Sequence, residues 1–333
     1  MEQGDAVSVV VRGTGRYLPE RQITNADLEK WVDTNDEWIR TRTGIHTRHM
    51  LAPDQATSDM ATEAGRRALD DAGLRAEDLD LIVVSTLTPD MLTPSASNLV
   101  QANLCKGRGI PSFDLNAACS GFIYGLQVVS SLIESGSYRR ALLVGAESLT
   151  RFVDYEDRSV CVLFGDGAGA VVLESSDSPG GIRGIRLGSA GVHAELICLP
   201  GGGSRRPPSI EVLEARDHYL KMQGNKVFKL AVQSMEQVAR DTLGDVGWSI
   251  DDLDLVLAHQ ANRRILDAVR SRLEVPDAKM PLNVDRMGNT SAASIPVLLD
   301  ECLGEGRIRS GDKLMLVAFG AGLTWGCCAL EWA

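Results

Sequence analysis

Asp78-Leu79-Asp80-Leu81-Ile82-Val83-Val84 returns 174 residues later as Asp252-Leu253-Asp254-Leu255-Val256-Leu257-Ala258. The same offset pairs Arg66 with Arg240, Leu69 with Leu243, Asp71 with Asp245 and Gly73 with Gly247. At an offset of 173, Ala141-Leu142-Leu143-Val144 falls on Leu314-Met315-Leu316-Val317, and Asn116-Ala117-Ala118-Cys119 on Asn289-Thr290-Ser291-Ala292. Chance matches do not hold register over so long a span. A period of this length makes the repeated unit a whole domain rather than a solenoid repeat.

Each copy reads as alternating helices and buried strands. Thr57 to Ala72 carries Ala61, Ala64, Ala68 and Leu69 at helical spacing, with Gly73 as the stop. Leu79 to Ser85 is a continuous apolar run, the pattern of a strand covered on both faces. Pro111 to Leu115 is a further short strand, Phe122, Leu126, Val129 and Ile133 mark an amphipathic helix ending at Gly136, and Ala141 to Val144 is the next buried strand. The alternation predicts an α/β fold with helices covering sheets. Residues 180–181 and 201–208 read as loops on their glycine and proline content.

Composition sets bounds on function. At 333 residues the length suggests about two domains, and such a chain buries about three quarters of its unfolded surface without a disulfide or metal staple. Apolar residues at 44% and charged residues at 24% exclude a disordered chain. The net charge of −11 argues against nucleic acid as partner, although it leaves room for a local basic patch. Seven cysteines form no regular framework and no zinc spacing, and Met1-Glu2-Gln3-Gly4-Asp5 lacks the features of a signal peptide. Both point to a reducing, cytoplasmic setting. The longest uncharged apolar stretch, Leu314 to Leu330, is interrupted by glycines, Thr324 and Trp325, so strand, turn and strand are expected there rather than a membrane span.

Three residues stand out as chemistry. In Phe113-Asp114-Leu115-Asn116-Ala117-Ala118-Cys119-Ser120-Gly121-Phe122, a cysteine sits among small residues where a strand meets a helix. The unpaired N–H groups of a helix start favour thiolate over thiol, so Cys119 is a candidate nucleophile, against the commoner fate of an inert buried cysteine. His259 follows a strand whose copy leads toward Cys119, although core histidines are ordinary. Asn289 alone would be a turn or helix-capping asparagine, yet its repeat equivalent is Asn116, three residues before Cys119. Pseudo-symmetry would turn both loops toward one crevice. Gly165-Asp166-Gly167-Ala168-Gly169 is no nucleotide loop, because Ala170-Val171-Val172-Leu173 continues as strand instead of opening a helix. Phe319-Gly320-Ala321-Gly322, between two strands, can turn a backbone N–H into a site.

Taken in order, Thr24-Asn25-Ala26-Asp27-Leu28-Glu29, Asp36-Glu37-Trp38-Ile39, Thr41-Arg42-Thr43-Gly44-Ile45, Ala117-Ala118-Cys119-Ser120-Gly121-Phe122, Phe164 to Gly169, His259-Gln260-Ala261-Asn262 and Gly288 to Ser294 resemble the β-ketoacyl-acyl-carrier-protein synthase III family of thiolase-like condensing enzymes. The resemblance runs nearly end to end. It implies a five-layered αβαβα sandwich of two pseudo-symmetric halves, here residues 1–176 carrying the cysteine and 177–333 carrying the histidine and asparagine. It implies a Cys119–His259–Asn289 set, a decarboxylative condensation of acyl-CoA with malonyl-acyl-carrier protein through an acyl-cysteine, and an oxyanion hole of the Cys119 and Ala321 N–H groups. By the same resemblance Trp38, Arg42 and Arg158 contact coenzyme A, and Asn225 and Asn262 line its pantetheine arm. Neither metal nor redox cofactor is implied, nor nucleic acid nor membrane, and the enzyme is expected to be a homodimer. Arg263, Arg264 and Arg270 are expected to dock the acidic carrier. A small residue at Thr93, where the family often has an aromatic reaching across the dimer, leaves room for a primer longer than acetyl. The alternatives are a specialised-metabolite ketosynthase or acyltransferase of the same fold, a papain-like protease, which the position of Cys119 disfavours, and a binding protein without catalysis.

Overall fold

The computed structural model describes residues 8–177 and 179–333. One sheet comprises β1 (Ser8–Tyr17), β2 (Leu81–Ser85), β3 (Ser112–Leu115), β4 (Arg140–Ser148) and β5 (Asp166–Ser176), in the order β1-β5-β4-β2-β3. The second large sheet comprises β6 (Gly181–Ser189), β7 (Leu255–Ala258), β8 (Lys313–Gly320) and β9 (Thr324–Glu331), in the order β6-β9-β8-β7. In both sheets one copied pair, β2 with β4 and β7 with β8, is parallel and the remaining copied pairs are antiparallel. The duplication extends to register. Val83 faces Leu143 in one sheet and their copies, Leu257 and Leu316, face each other in the second. β3 has no copied strand, because the corresponding stretch of the second half is a short helical turn, Val284–Met287.

The principal helices are α1 (Asp36–Thr43), α2 (Thr57–Ala72), α3 (Ala96–Cys105), α4 (Gly121–Glu134), α5 (Gly224–Val246), α6 (Arg263–Leu273) and α7 (Ser294–Gly304). α2 and α5 stop at copied glycines, Gly73 and Gly247, with φ of 65° and 70°. A residue with a Cβ would be strained there.

Strand side chains alternate between two cores, as the continuous apolar runs require. Leu81, Val83 and Leu143 from the first sheet and Leu255, Leu257 and Leu316 from the second close on α4 and α7, which form a central helical layer. Ile82, Val84, Leu142 and Val144 face outward onto Ala61, Ala64 and Ala68 of α2 and Val100 of α3. Val256, Met315 and Val317 face outward onto Val232 and Met235 of α5 and Leu266 of α6. The result is the expected αβαβα sandwich. Leu314 to Leu330 is the strand, turn and strand expected from its composition. Gly181, expected in a loop, instead opens β6 opposite Glu331, because the edge of the second sheet extends to include it.

Candidate active site

β3 ends at Leu115, and the chain turns through Ala118–Ser120 into α4. Ala118 has φ +48°, in the left-handed region where an alanine is strained, a signature concentrated at functional sites. The Asn116 Oδ1 accepts the Ala118 N–H at 3.1 Å. Its copy in the second half is built alike. Ser291 has φ +49°, its N–H donates to Asn289 Oδ1 at 2.9 Å, and Ser291–Ala293 turns into α7. The two turns bring Cys119 and Asn289 to one cavity of about 320 Å³, which His259 at the end of β7 also lines. The Thr324 hydroxyl clamps the cysteine turn to the loop before β9, lying 2.9 Å from the Ala117 carbonyl and 3.1 Å from that of Ala321.

The electrostatics differ from the local expectation at Cys119. Burial pushes its thiol up to about 12, against a hydrogen bond from Ser291 that favours the thiolate. Desolvation of the anion thus outweighs the helix start, and the resting nucleophile is a neutral thiol. His259 is also held neutral, since burial pushes it down to about 4. Its Nδ1 lies 2.7 Å from Ser294 Oγ, and the Gln260 N–H donates to the same hydroxyl oxygen at 3.4 Å. In the tautomer in which that hydroxyl donates to Nδ1, the ring proton sits on Nε2 as a donor. Asn289 is fixed through its backbone, its N–H bonded to the Leu163 carbonyl at 2.8 Å and its carbonyl to the Gly165 N–H at 3.1 Å. With Oδ1 already engaged by Ser291, the free function of Asn289 is its NH₂. A thiol thus shares a cavity with two neutral N–H donors, a set suited to stabilising an oxyanion.

The glycine run 165–169 finds its role here. Gly165 and the Phe164–Asn289 bridge hold the asparagine turn, and a Cβ on Gly169 would lie 2.6 Å from the Val297 nitrogen of α7. These glycines permit sheet and helix to approach, and the run continues as β5 instead of opening a helix. Gly320 plays the same part under the nucleophile, since a Cβ there would sit 2.7 Å from the Cys119 nitrogen and 3.0 Å from that of Ser120. Its neighbour Ala321 lines the cavity.

At the mouth, α1 starts at Asn35, whose Oδ1 accepts the Trp38 N–H at 2.8 Å. The guanidinium groups of Arg42 and Arg158 lie 4.7 and 5.0 Å from the Trp38 ring centre, so the expected trio is assembled. Trp38, Arg42, Asn225, Asn262 and Arg264 line the cavity, while Arg158 joins them through Trp38. Asn262 also caps α6, its Oδ1 accepting the Ile265 N–H, which leaves its NH₂ for a ligand. Of the α6 arginines, Arg263 pairs with Asp267, Arg270 with Asp267 and Asp277, and Arg272 with Glu236. Arg264 forms no ion pair among the described residues and lies over Phe228. Thr93 is not brought to the cavity within this chain; it lies exposed beside Met91 and Leu92.

Sequence reading passed over Ser291 and Ser294 as individuals, although both stand in the motif around Asn289, and it passed over Glu147 altogether. A serine at a helix start was the available signal for Ser294. For Glu147, buried at the end of β4, the sequence holds none.

A duplicated five-layer sandwich, with a cysteine from one half sharing a cavity with a histidine and an asparagine from the other, is the architecture of the thiolase-like condensing enzymes. Two family descriptions match the chain, 3-Oxoacyl-[acyl-carrier-protein (ACP)] synthase III over residues 113–191 and the C-terminal part of the same synthase over residues 243–332. The chain is 48% identical to the beta-ketoacyl-[acyl-carrier-protein] synthase III of Caldanaerobacter subterraneus subsp. tengcongensis, with 99% of each protein covered. Among solved structures, 3-oxoacyl-[acyl-carrier-protein] synthase III from Aquifex aeolicus is 45% identical with a TM-score of 0.91, over 97% of this chain and all of that one. The priming β-ketosynthase of the R1128 polyketide pathway is 35% identical with a TM-score of 0.91, over all of this chain and 98% of that one. The chain belongs to the β-ketoacyl-acyl-carrier-protein synthase III family. It is a condensing acyltransferase of the kind that initiates fatty-acid synthesis.

Proposed function

We propose that Cys119 attacks an acyl-CoA thioester, releasing coenzyme A and leaving an S-acyl enzyme. Malonyl-acyl-carrier protein then enters the same cavity and loses CO₂. The enolate oxygen is stabilised by His259 Nε2–H and the Asn289 NH₂, and the enolate carbon attacks the acyl-cysteine. The Cys119 and Ala321 N–H groups take up the oxyanion of each tetrahedral intermediate, and 3-oxoacyl-acyl-carrier protein departs. Every step is redox-neutral and uses protein groups alone, so we propose no cofactor. The observation that carries this reading is the pair of copied turns that bring Cys119 and Asn289 to one cavity with a buried, neutral His259 at the end of β7.

Trp38, Arg42 and Arg158 are proposed to hold the coenzyme A adenine and phosphates, because stacked aromatic and guanidinium planes accept a base. Asn225 and Asn262 would then line the pantetheine arm. The carrier is proposed to dock on the α6 face. Arg264 carries most of this role, since Arg263 and Arg270 already have acidic partners. Arg264→Glu is expected to raise KM for malonyl-acyl-carrier protein about tenfold while leaving acylation by acyl-CoA within about twofold, a split read in the two half-reactions. Equal KM values would place docking elsewhere.

Thr93 is proposed to act from the partner copy of a homodimer, where a small residue leaves the acyl pocket open. Intact-protein mass after incubation with acetyl-, butyryl- and octanoyl-CoA tests this together with the nucleophile. An adduct on Cys119 with the longer primers is expected, and strict acetyl preference would refute the open pocket. We place the enzyme in the cytoplasm, in keeping with its free cysteines; among the described residues no helix is long and apolar enough to cross a membrane. The second reading, a ketosynthase of specialised metabolism, draws on the likeness to the R1128 priming enzyme. It shares every step above and differs in the carrier served.

A further inference from the structure

Glu147 stands at the end of β4 with no solvent exposure and no cation paired to it among the described residues. Its Oε2 accepts from the Thr88 hydroxyl at 2.6 Å and from the Thr86 hydroxyl at 3.3 Å, and the Leu87 N–H lies 3.3 and 3.2 Å from its two oxygens. Its Oε1 accepts the Ser291 hydroxyl at 3.1 Å, across the seam between the two halves. Ser291 and Cys119 line the same cavity, on the two copied turns that pack against each other. On its side of the sheet Glu147 faces Cys119 across Ser291, whereas Asp166 on β5, paired with Ser148, lies on the opposite face, its oxygens taken up by Thr150 and the Leu51 N–H. One hydroxyl, that of Ser291, therefore stands between the cavity that holds Cys119 and a buried carboxylate that no salt bridge among the described residues holds ionised.

We propose that Glu147, acting through the Ser291 hydroxyl, is the positioning residue that takes up the Cys119 thiol proton during acylation and returns it to the departing coenzyme A. The need arises from the site itself, because a neutral thiol must shed its proton as it attacks. The S–H bond breaks as the S–C bond to the acyl carbon forms. The proton passes to Ser291 Oγ, whose own proton moves to Glu147 Oε1. When the thioester C–S bond breaks, the same path reversed delivers a proton to the coenzyme A sulfur. Thiol and thioester become thioester and thiol, and Glu147 ends as it began. Burial raises this carboxyl to about 7, which suits it to accept and return a proton near neutral pH.

This inference rests on the acyl-cysteine reading, and its test separates the two. The rate of acyl transfer from acyl-CoA to Cys119 is measured by rapid quench and intact mass across the pH range around neutrality. Condensation is measured separately on pre-acylated enzyme. In the wild type the acylation rate should rise with pH as Glu147 ionises through about 7 and then level off. Glu147→Gln should lose that limb and about 10²-fold in rate near neutral pH, with condensation within about twofold. Ser291→Ala, which leaves the carboxylate in place, should reproduce the loss and carries the test should the glutamine variant not fold. A wild-type enzyme that is acylated on Cys119 while the variants keep its pH limb overturns the inference alone, and so does a parallel fall of both half-reactions with the limb retained. A wild-type enzyme that is never acylated on Cys119 overturns both readings.

Discussion

Cys119→Ala is expected to form no acyl adduct with any acyl-CoA and to lose condensation by about 10⁴-fold or more, the scale seen when a covalent nucleophile is removed. No other thiol can substitute, because among the described residues Cys119 is the one cysteine that lines the cavity, and Cys105, Cys161, Cys302, Cys327 and Cys328 are buried elsewhere. The fold should survive, because the turn at Ala118–Ser120 is held by Asn116, Thr324 and the close approach of Gly320 rather than by the thiol. Coenzyme A release and the thermal midpoint, measured side by side, check the two halves of this expectation. A variant that still releases coenzyme A at the wild-type rate would show that the nucleophile lies elsewhere.

His259→Ala and Asn289→Ala should separate the two half-reactions. Each removes one donor to the enolate oxygen and none to the acyl oxyanion, so acylation should persist while condensation falls by about 10²–10³, or ~2.7–4 kcal/mol of transition-state stabilisation. The double variant should lose less than the product of the two, since both donors serve one oxygen. Because burial holds His259 near 4, condensation by pre-acylated enzyme should show no inflection at the ordinary histidine value of 6.5. Stability carries the matching sign. The unfolded chain protonates this histidine below 6.5 and the folded chain only near 4, so the contribution of His259 is whole above 6.5 and is lost as pH falls through about 4. Denaturant midpoints across this range, compared with His259→Ala, isolate it.

Much of this molecule was legible because its elements declare themselves locally. Continuous apolar runs at β2, β4, β7 and β8 can only be strands covered on both faces, and the offset of 173 to 174 residues told which strands are copies. Cys119, His259 and Asn289 emerged together for the same reason, as equivalent ends of one repeated pattern. What escaped depends on contacts between residues far apart in the chain. A helix start raises the expectation of a thiolate, but desolvation by both halves decides the charge of Cys119. The arginine run on α6 looks uniform in sequence, yet Asp277 and Glu236, from other elements, remove two of its members and leave Arg264 unpaired among the described residues. Ser294 and Ser291 set the hydrogen-bonding sense of His259 and Asn289, and no periodicity records that.

The central claim is that one cavity couples acylation of Cys119 to decarboxylative carbon–carbon bond formation. Its most direct test is the stoichiometry of a single turnover, in which acyl-CoA is added to the enzyme with malonyl-acyl-carrier protein labelled in its free carboxyl group. One coenzyme A, one labelled CO₂ and one 3-oxoacyl-acyl-carrier protein should appear together, with no CO₂ before acyl-CoA is added. Coenzyme A release with the acyl group passed unchanged to the carrier, and no CO₂, would contradict the account and make the protein a simple acyltransferase.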